Sequence, residues 1–260
     1  MNLRKRILTH NDCYIRGRTI RPKGVMVHST GANNPRLSRY VAPNDGLLGE
    51  PALRHWNQSG VEACPHAFIG RLADGSVATY QTLPWAMRGW HCGKGKRGSA
   101  NDTHISFEIC EDGLTDAGYF QAVYREAVEL TAYLCRRFQL DPLADGGVIC
   151  HAEGYKRGIA SNHGDVLHWF PKHGKTMDDF RADVARVIRG EDEDMPRYNT
   201  IAEIKAAASW AEPTIRKMIR NGFITGGGKK DAEGLPVDMD LSMDMIRMMV
   251  MNDAAGVYGS

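Results

Sequence analysis

The chain has 260 residues, 42% of them hydrophobic and 25% charged, with a formal net charge of +2. Such a composition points to a folded globular protein rather than disorder, and no run approaches the ~20 apolar residues of a membrane span. The near-neutral balance speaks against a dedicated nucleic-acid binder, which carries a basic stripe. The length suits one domain of moderate size and a smaller one.

The first segment, "MNLRKRILTHNDCYIRG", starts basic but has no apolar stretch of the length a secretory signal needs. The chain is therefore expected to be cytoplasmic on synthesis, acting elsewhere only after release. "GVMVHST" reads as the first strand, with Val25 and Val27 alternating with Met26 and His28. "HAFIGRLADGSVATYQTL" reads as a hairpin, because Asp74-Gly75 tolerates the positive φ of a tight turn. "HISFEIC" is another strand.

Residues 116–138 carry Phe120, Val123, Tyr124, Ala127, Leu130, Leu134 and Phe138 at helical spacing. "GVICH" follows as a short apolar strand that delivers His151 at its end. A second amphipathic helix is expected over 176–189, with Thr176 as N-cap and Asp178 and Asp179 at the positive end of its dipole. Strands mixed with crossing helices imply an α/β domain, a central mixed β-sheet flanked by helices. Six scattered cysteines, Cys13, Cys64, Cys92, Cys110, Cys135 and Cys150, form no CxxC pair and read as buried thiols.

Residues 1–190 make up this first domain. Residues 191–198 read as a linker, because Glu191 to Asp194 are consecutively acidic. Residues 199–260 look like a small all-helical module. Pro213 fits the first turn of a helix carrying Ile215, Met218 and Ile219, with Gly222 as its stop, and Ser242 fits the cap of another with Ile246, Met249 and Val250. Its many methionines suit either ordinary core or an adaptable interaction surface.

Chemistry concentrates in a few places. His28 and His151 both end apolar strands, as a site at one rim of a sheet requires. Alternation in "HISFEIC" puts Ser106, Glu108 and Cys110 on a small, polar face with room for a substrate. "VICHAEGYKRGIASNHGDVLHWF" adds His163, Asp165 and His168 to His151. Histidine and aspartate ligate zinc, and histidine also moves protons. The residues alone suggest metal-assisted hydrolysis, set against a plain globular domain.

The order "VMVHST", "HAFIGRLADGSVATY", "RGWHCG", "NDTHISFEIC", "CHAEG…NHGD" is similar to the type-2 N-acetylmuramoyl-L-alanine amidases. That family includes phage endolysins, autolysins and peptidoglycan recognition proteins. The likeness spans roughly residues 20–190. It implies one Zn2+ held by His28, His151 and Asp165, with His163 as rival third ligand, since Asp165 is followed by Val166 where the family has proline. It further implies Glu108 as the base acting on water and His163 as stabiliser of the developing oxyanion. His91 and Trp90 match a segment lining the substrate groove; His66 is expected beneath the site and His168 in packing beside the zinc loop.

The implied activity is hydrolysis of the amide between N-acetylmuramic acid and L-alanine in peptidoglycan, by a phage or prophage endolysin. A non-catalytic recognition protein and a cytosolic amidase of anhydro-muropeptide recycling are the alternatives. No nucleic acid or membrane insertion is expected. "WAEPTIRKMIRNGFITG" is similar to a surface-layer-homology repeat, which implies wall binding by the C-terminal module; dimerisation, giving a homo-oligomer, is the rival.

Overall fold

The computed structural model describes residues 1–42, 45–190, 197–254 and 256. The chain forms two compact units, residues 1–189 and 190–260. Most of the expected linker, 191–196, lies outside the described residues.

The first unit is built on a six-stranded mixed sheet. Its strands are β1 (Leu3–Lys5), β2 (Gly24–Ser29), β3 (Ala67–Arg71), β4 (Val77–Gln81), β5 (His104–Ile109) and β6 (Val148–Cys150). Their spatial order is β1-β4-β3-β5-β2-β6, and only β3 and β4 pair antiparallel. The β3–β4 turn is the expected Asp-Gly hairpin: Gly75 takes φ 88, and Asp74 Oδ1 accepts the Ser76 N–H at 2.9 Å. Sequence periodicity missed β1 and the short helix α1 (Asp12–Arg16). A three-residue edge strand reading Leu-Arg-Lys carries no alternation to detect.

Helix α2 (Ala117–Phe138) is capped by Asp116, whose side chain accepts the Tyr119 N–H at 2.9 Å, and ends at Gln139 in the left-handed region. It packs with α4 (Met177–Arg189) on one face of the sheet. Val25, Val27, Ile105, Phe107 and Ile109 are fully buried there, with Val123 and Leu130 of α2 and Phe180 and Val184 of α4. Each such large side chain contributes about 1.5–3 kcal/mol by leaving water. The Arg136 guanidinium donates to the carbonyls of Val187 and Ile188, satisfying acceptors that the last turn of α4 leaves open.

His151 does not end a strand. It is the first residue of α3 (His151–Lys156), because Glu153 Oε2 accepts the Cys150 N–H at 3.0 Å and starts the helix at once. Glu153 is held in turn by Arg181 of α4 at 3.1 Å. All six cysteines are buried and unpaired.

The second unit contains α5 (Ile201–Ala207), α6 (Glu212–Arg220) and α7 (Met243–Ala254). To the expected helices it adds a two-stranded antiparallel ladder, β7 (Arg197–Tyr198) with β8 (Leu241–Ser242). Thr200 Oγ1 accepts the Glu203 N–H and Glu203 Oε2 accepts the Thr200 N–H, both at 3.1 Å, a capping box for α5. Pro213 occupies the first turn of α6 and Gly222, φ 76, follows its end. Asp253 accepts from Thr214 and Lys217, tying α7 to α6. Ile204, Ile215 and Ile246 are fully buried in its core. The methionines divide: Met218 and Met239 are buried, whereas Met245, Met248 and Met251 are exposed. The side chain of Ser242, the expected cap, lies outside the described ones.

Candidate metal centre and active site

Parallel pairing of β2 with β5 sets His28 beside Glu108, and Met26 beside Ser106. Because strand side chains alternate, these residues occupy the face opposite the α2–α4 core. A cavity of about 700 Å³ opens on that face. His28, Glu108, Trp90, His91, His151, His163, Asp165 and His168 all line it.

Three donors converge there. His28 Nδ1 lies 3.0 Å from Asp165 Oδ2 and 3.1 Å from His151 Nδ1, and His151 Nδ1 lies 3.4 Å from Asp165 Oδ1. A tetrahedral centre with bonds of about 2.0–2.1 Å separates its donors by about 3.3 Å. Two facing Nδ1 atoms and a carboxylate at these distances satisfy a shared cation better than they satisfy one another. The residues present therefore fit a zinc ion.

Neighbouring groups fix the donors. His28 Nε2 lies 2.9 Å from His91 Nδ1, so the far side of the His28 ring is held by a second imidazole. His151 Nε2 lies 3.3 Å from Ser161 Oγ, which donates to the Cys92 carbonyl at 3.0 Å. The Ala152 N–H donates to the Asp165 carbonyl at 3.1 Å, tying the start of α3 to the third donor's loop. Gly95 permits the close packing of the His91–Gly98 loop on this region, since a Cβ there would sit 2.2 Å from the Gly158 carbonyl oxygen.

The electrostatics follow from burial. Burial opposes ionisation of Asp165, but hydrogen bonds with His151 and His28 outweigh it and hold the carboxyl below its ordinary range. His28 is lowered by burial despite the pull of Asp165. Glu108 is raised well above its ordinary value, by burial first and then by the charges of Asp165 and Glu111. Its Oε2 is buried without a hydrogen-bond partner, although the residue lines the cavity. A cation among the three donors acts on Glu108 in the opposite sense to Asp165 and favours its ionised form.

His163 does not join the donor triad. It is exposed, its ring centroid is 4.7 Å from that of His151, and its Nδ1 lies 3.0 Å from Ser161 Oγ. His66 has both ring nitrogens committed, one to the Met87 carbonyl at 2.7 Å and one to Ser106, and burial pushes it down to about 4. Trp90 is 39% exposed, with the Arg88 guanidinium carbon 5.4 Å from its ring centroid. His168 corrects its expected packing role: it is 38% exposed, and its Nε2 lies 2.8 Å from Glu111 Oε1. Sequence reasoning also missed Ser161, which sits in an aperiodic loop, and Glu111, whose only signal was its place just past the β5 strand that carries Glu108.

The family described as N-acetylmuramoyl-L-alanine amidase matches residues 18–167. Among solved structures, the fold is similar to that of the Staphylococcus aureus hydrolase AmiA in complex with its ligand. That likeness has 18% identity and a TM-score of 0.51, over 73% of this chain and 83% of that one. Two further similar structures are the PlyG catalytic domain (19% identity, TM-score 0.49, 75% and 99% of the two chains) and a mutant endolysin from Bacillus subtilis (21%, 0.47, 71% and 99%). No curated protein sequence matches.

Proposed function

The chain belongs to the N-acetylmuramoyl-L-alanine amidase family, and from that premise we propose a zinc-dependent peptidoglycan hydrolase of the endolysin kind. It cuts the amide between the lactyl group of N-acetylmuramic acid and L-alanine. The observation that carries this reading is the convergence of His28 Nδ1, His151 Nδ1 and an Asp165 carboxylate oxygen within 4.8 Å of one another, in the cavity where Glu108 Oε2 has no partner.

His28, His151 and Asp165 would hold the metal. Zinc bound there would supply Lewis-acid chemistry, lowering the pKa of a water towards 7 and polarising a carbonyl. Glu108 accepts the proton of the attacking water and returns it to the departing L-alanine nitrogen, so the leaving group departs as a neutral amine. His163 donates a hydrogen bond to the carbonyl oxygen as negative charge builds. Its freedom from the donor triad suits that task; since Ser161 Oγ donates to the Cys92 carbonyl and so accepts from His163 Nδ1–H, donation from Nε2 takes the imidazolium form. His91 keeps His28 in the tautomer that presents Nδ1. Trp90, half-exposed on the cavity wall, gives the glycan or peptide an aromatic surface.

Residues 199–260 serve as a wall-binding module in this reading. Trp210 and Phe223, both exposed in that unit, support contact with a polymer surface. Removing residues 199–260 is expected to abolish co-sedimentation with cell walls. Equal sedimentation with a changed oligomeric state would favour dimerisation instead.

The test of the activity is chemical. Purified protein incubated with peptidoglycan is expected to release new amino groups and no reducing sugars, and to carry about one zinc per chain. Reducing ends without new amino groups contradict the reading.

A further inference from the structure

His168, on the cavity wall, pairs with the buried Glu111, and the chemistry above does not use the pair. Glu111 follows β5 by two residues, is 4% exposed, and its backbone N–H donates to Thr30 Oγ1 at 3.1 Å. His168 Nε2 lies 2.8 Å from its Oε1. A buried carboxylate requires a donor, and this imidazole N–H is the donor the fold supplies.

The backbone that carries the ring is anchored as well. His168 sits in the turn after Asp165, between Val166 and Trp169, both fully buried. The Trp169 N–H donates to the Val166 carbonyl at 3.0 Å, and the Phe170 N–H to the same carbonyl at 3.1 Å. The backbone is thus anchored in the core while the ring stays 38% exposed in the wall of the catalytic cavity. With Nε2–H committed to Glu111, the neutral ring has one lone pair left, on Nδ1. The structure gives Nδ1 no protein partner among the described residues.

We propose that His168 is a substrate-binding residue whose Nδ1 accepts a hydrogen bond from an N–H or O–H group of the muramyl-peptide, and that Glu111 is the positioning residue that fixes its tautomer. The inference rests on the amidase reading, because it takes the substrate to occupy this cavity. A strap between β5 and the Asp165 turn would use the Nε2–Glu111 contact alone, whereas substrate binding also needs Nδ1.

The two roles separate in His168→Gln. A glutamine side-chain amide still donates to Glu111, so the strap survives, but its one acceptor, Oε1, branches from the same carbon as the donor and does not occupy the place of Nδ1. With a soluble muramyl-peptide substrate, KM is expected to rise roughly three- to tenfold, the worth of one neutral hydrogen bond. kcat, zinc content and melting temperature are expected to stay near wild type. Unchanged KM overturns the proposal, as does a KM rise that merely follows a lost zinc or a lowered melting temperature.

A second readout avoids the substitution at His168. In 15N-histidine-labelled protein carrying Glu108→Gln, so that substrate persists, the His168 Nδ1 resonance is expected to move on adding muramyl-peptide. A stationary resonance at saturating substrate overturns the proposal. Wild-type protein that cleaves no muramyl-peptide amide defeats the amidase reading itself, a result distinct from an active enzyme indifferent to His168.

Discussion

On one face of β2 and β5, Val25, Val27, Ile105 and Phe107 are sealed against α2 and α4. On the other face, His28 and Glu108, each one step along its strand from those residues, open onto the catalytic cavity. Backbone hydrogen bonding is shared, so the two faces differ only in side chains. On these two strands the first face carries the larger core, and the second carries the chemistry beside a smaller core around Met26. The sheet places two reactive groups side by side without their contributing to the core, and substitutions on the two faces are expected to fail in different ways.

The largest expected effect is on the cavity face. Asp165→Ala removes the carboxylate between two imidazoles, and turnover is expected to fall to background with loss of metal. The metal-free melting temperature should stay close to that of metal-free wild type. A variant that fails to fold would show that the cavity face carries stability after all, and calorimetry on the metal-free proteins decides this.

Next comes Glu108→Gln. Loss of the proton acceptor is expected to lower kcat by about 10²–10⁴-fold, with zinc content unchanged by elemental analysis. Full activity would remove Glu108 from the mechanism.

On the core face the pattern reverses. Phe107→Ala leaves a cavity between the sheet and α2, and is expected to cost about 3–5 kcal/mol in urea unfolding. Activity per folded molecule should hold. Lost activity in protein that is still folded would mean that the faces are coupled.

The smallest expected effect is a pH dependence. His66 is neutral and buried, and its pKa is pushed down to about 4 from an ordinary 6.5. Below pH 6.5 the unfolded chain binds the proton first, so stability falls as the pH drops from 6.5 towards 4. The full loss is roughly 3 kcal/mol. His66→Gln is expected to flatten the urea midpoint against pH in that window. An unchanged slope would assign the acid sensitivity to other histidines.

The strands and long helices that frame these faces were legible in the sequence because each carries a period. β2 and β5 alternate, α2 and α4 repeat every three to four residues, and Asp74-Gly75 marks the hairpin. The candidate ligand set was suggested mainly by family resemblance, since His28 and Asp165 are brought together only by the sheet and the loop after α3. The choice between Asp165 and His163 was closed to spacing, because both stand in an aperiodic loop. The fold separates them by anchoring Val166 in the core and by the bond from the Ala152 N–H to the Asp165 carbonyl. The Glu111–His168 contact joins residues 57 apart in sequence, and no local pattern announces it. The β7–β8 ladder was hidden for a simpler reason: strands of two residues have no period.

The central claim is that His28, His151 and Asp165 hold a zinc ion required for amide cleavage. The most direct test is zinc content measured on the same preparations of wild type and Asp165→Ala whose amino-group release from peptidoglycan is followed. About one zinc per wild-type chain is expected, with cleavage lost on chelation and restored by zinc, and neither metal nor cleavage in the variant. Wild-type protein that releases amino groups at full rate after its metal has been stripped would contradict the account.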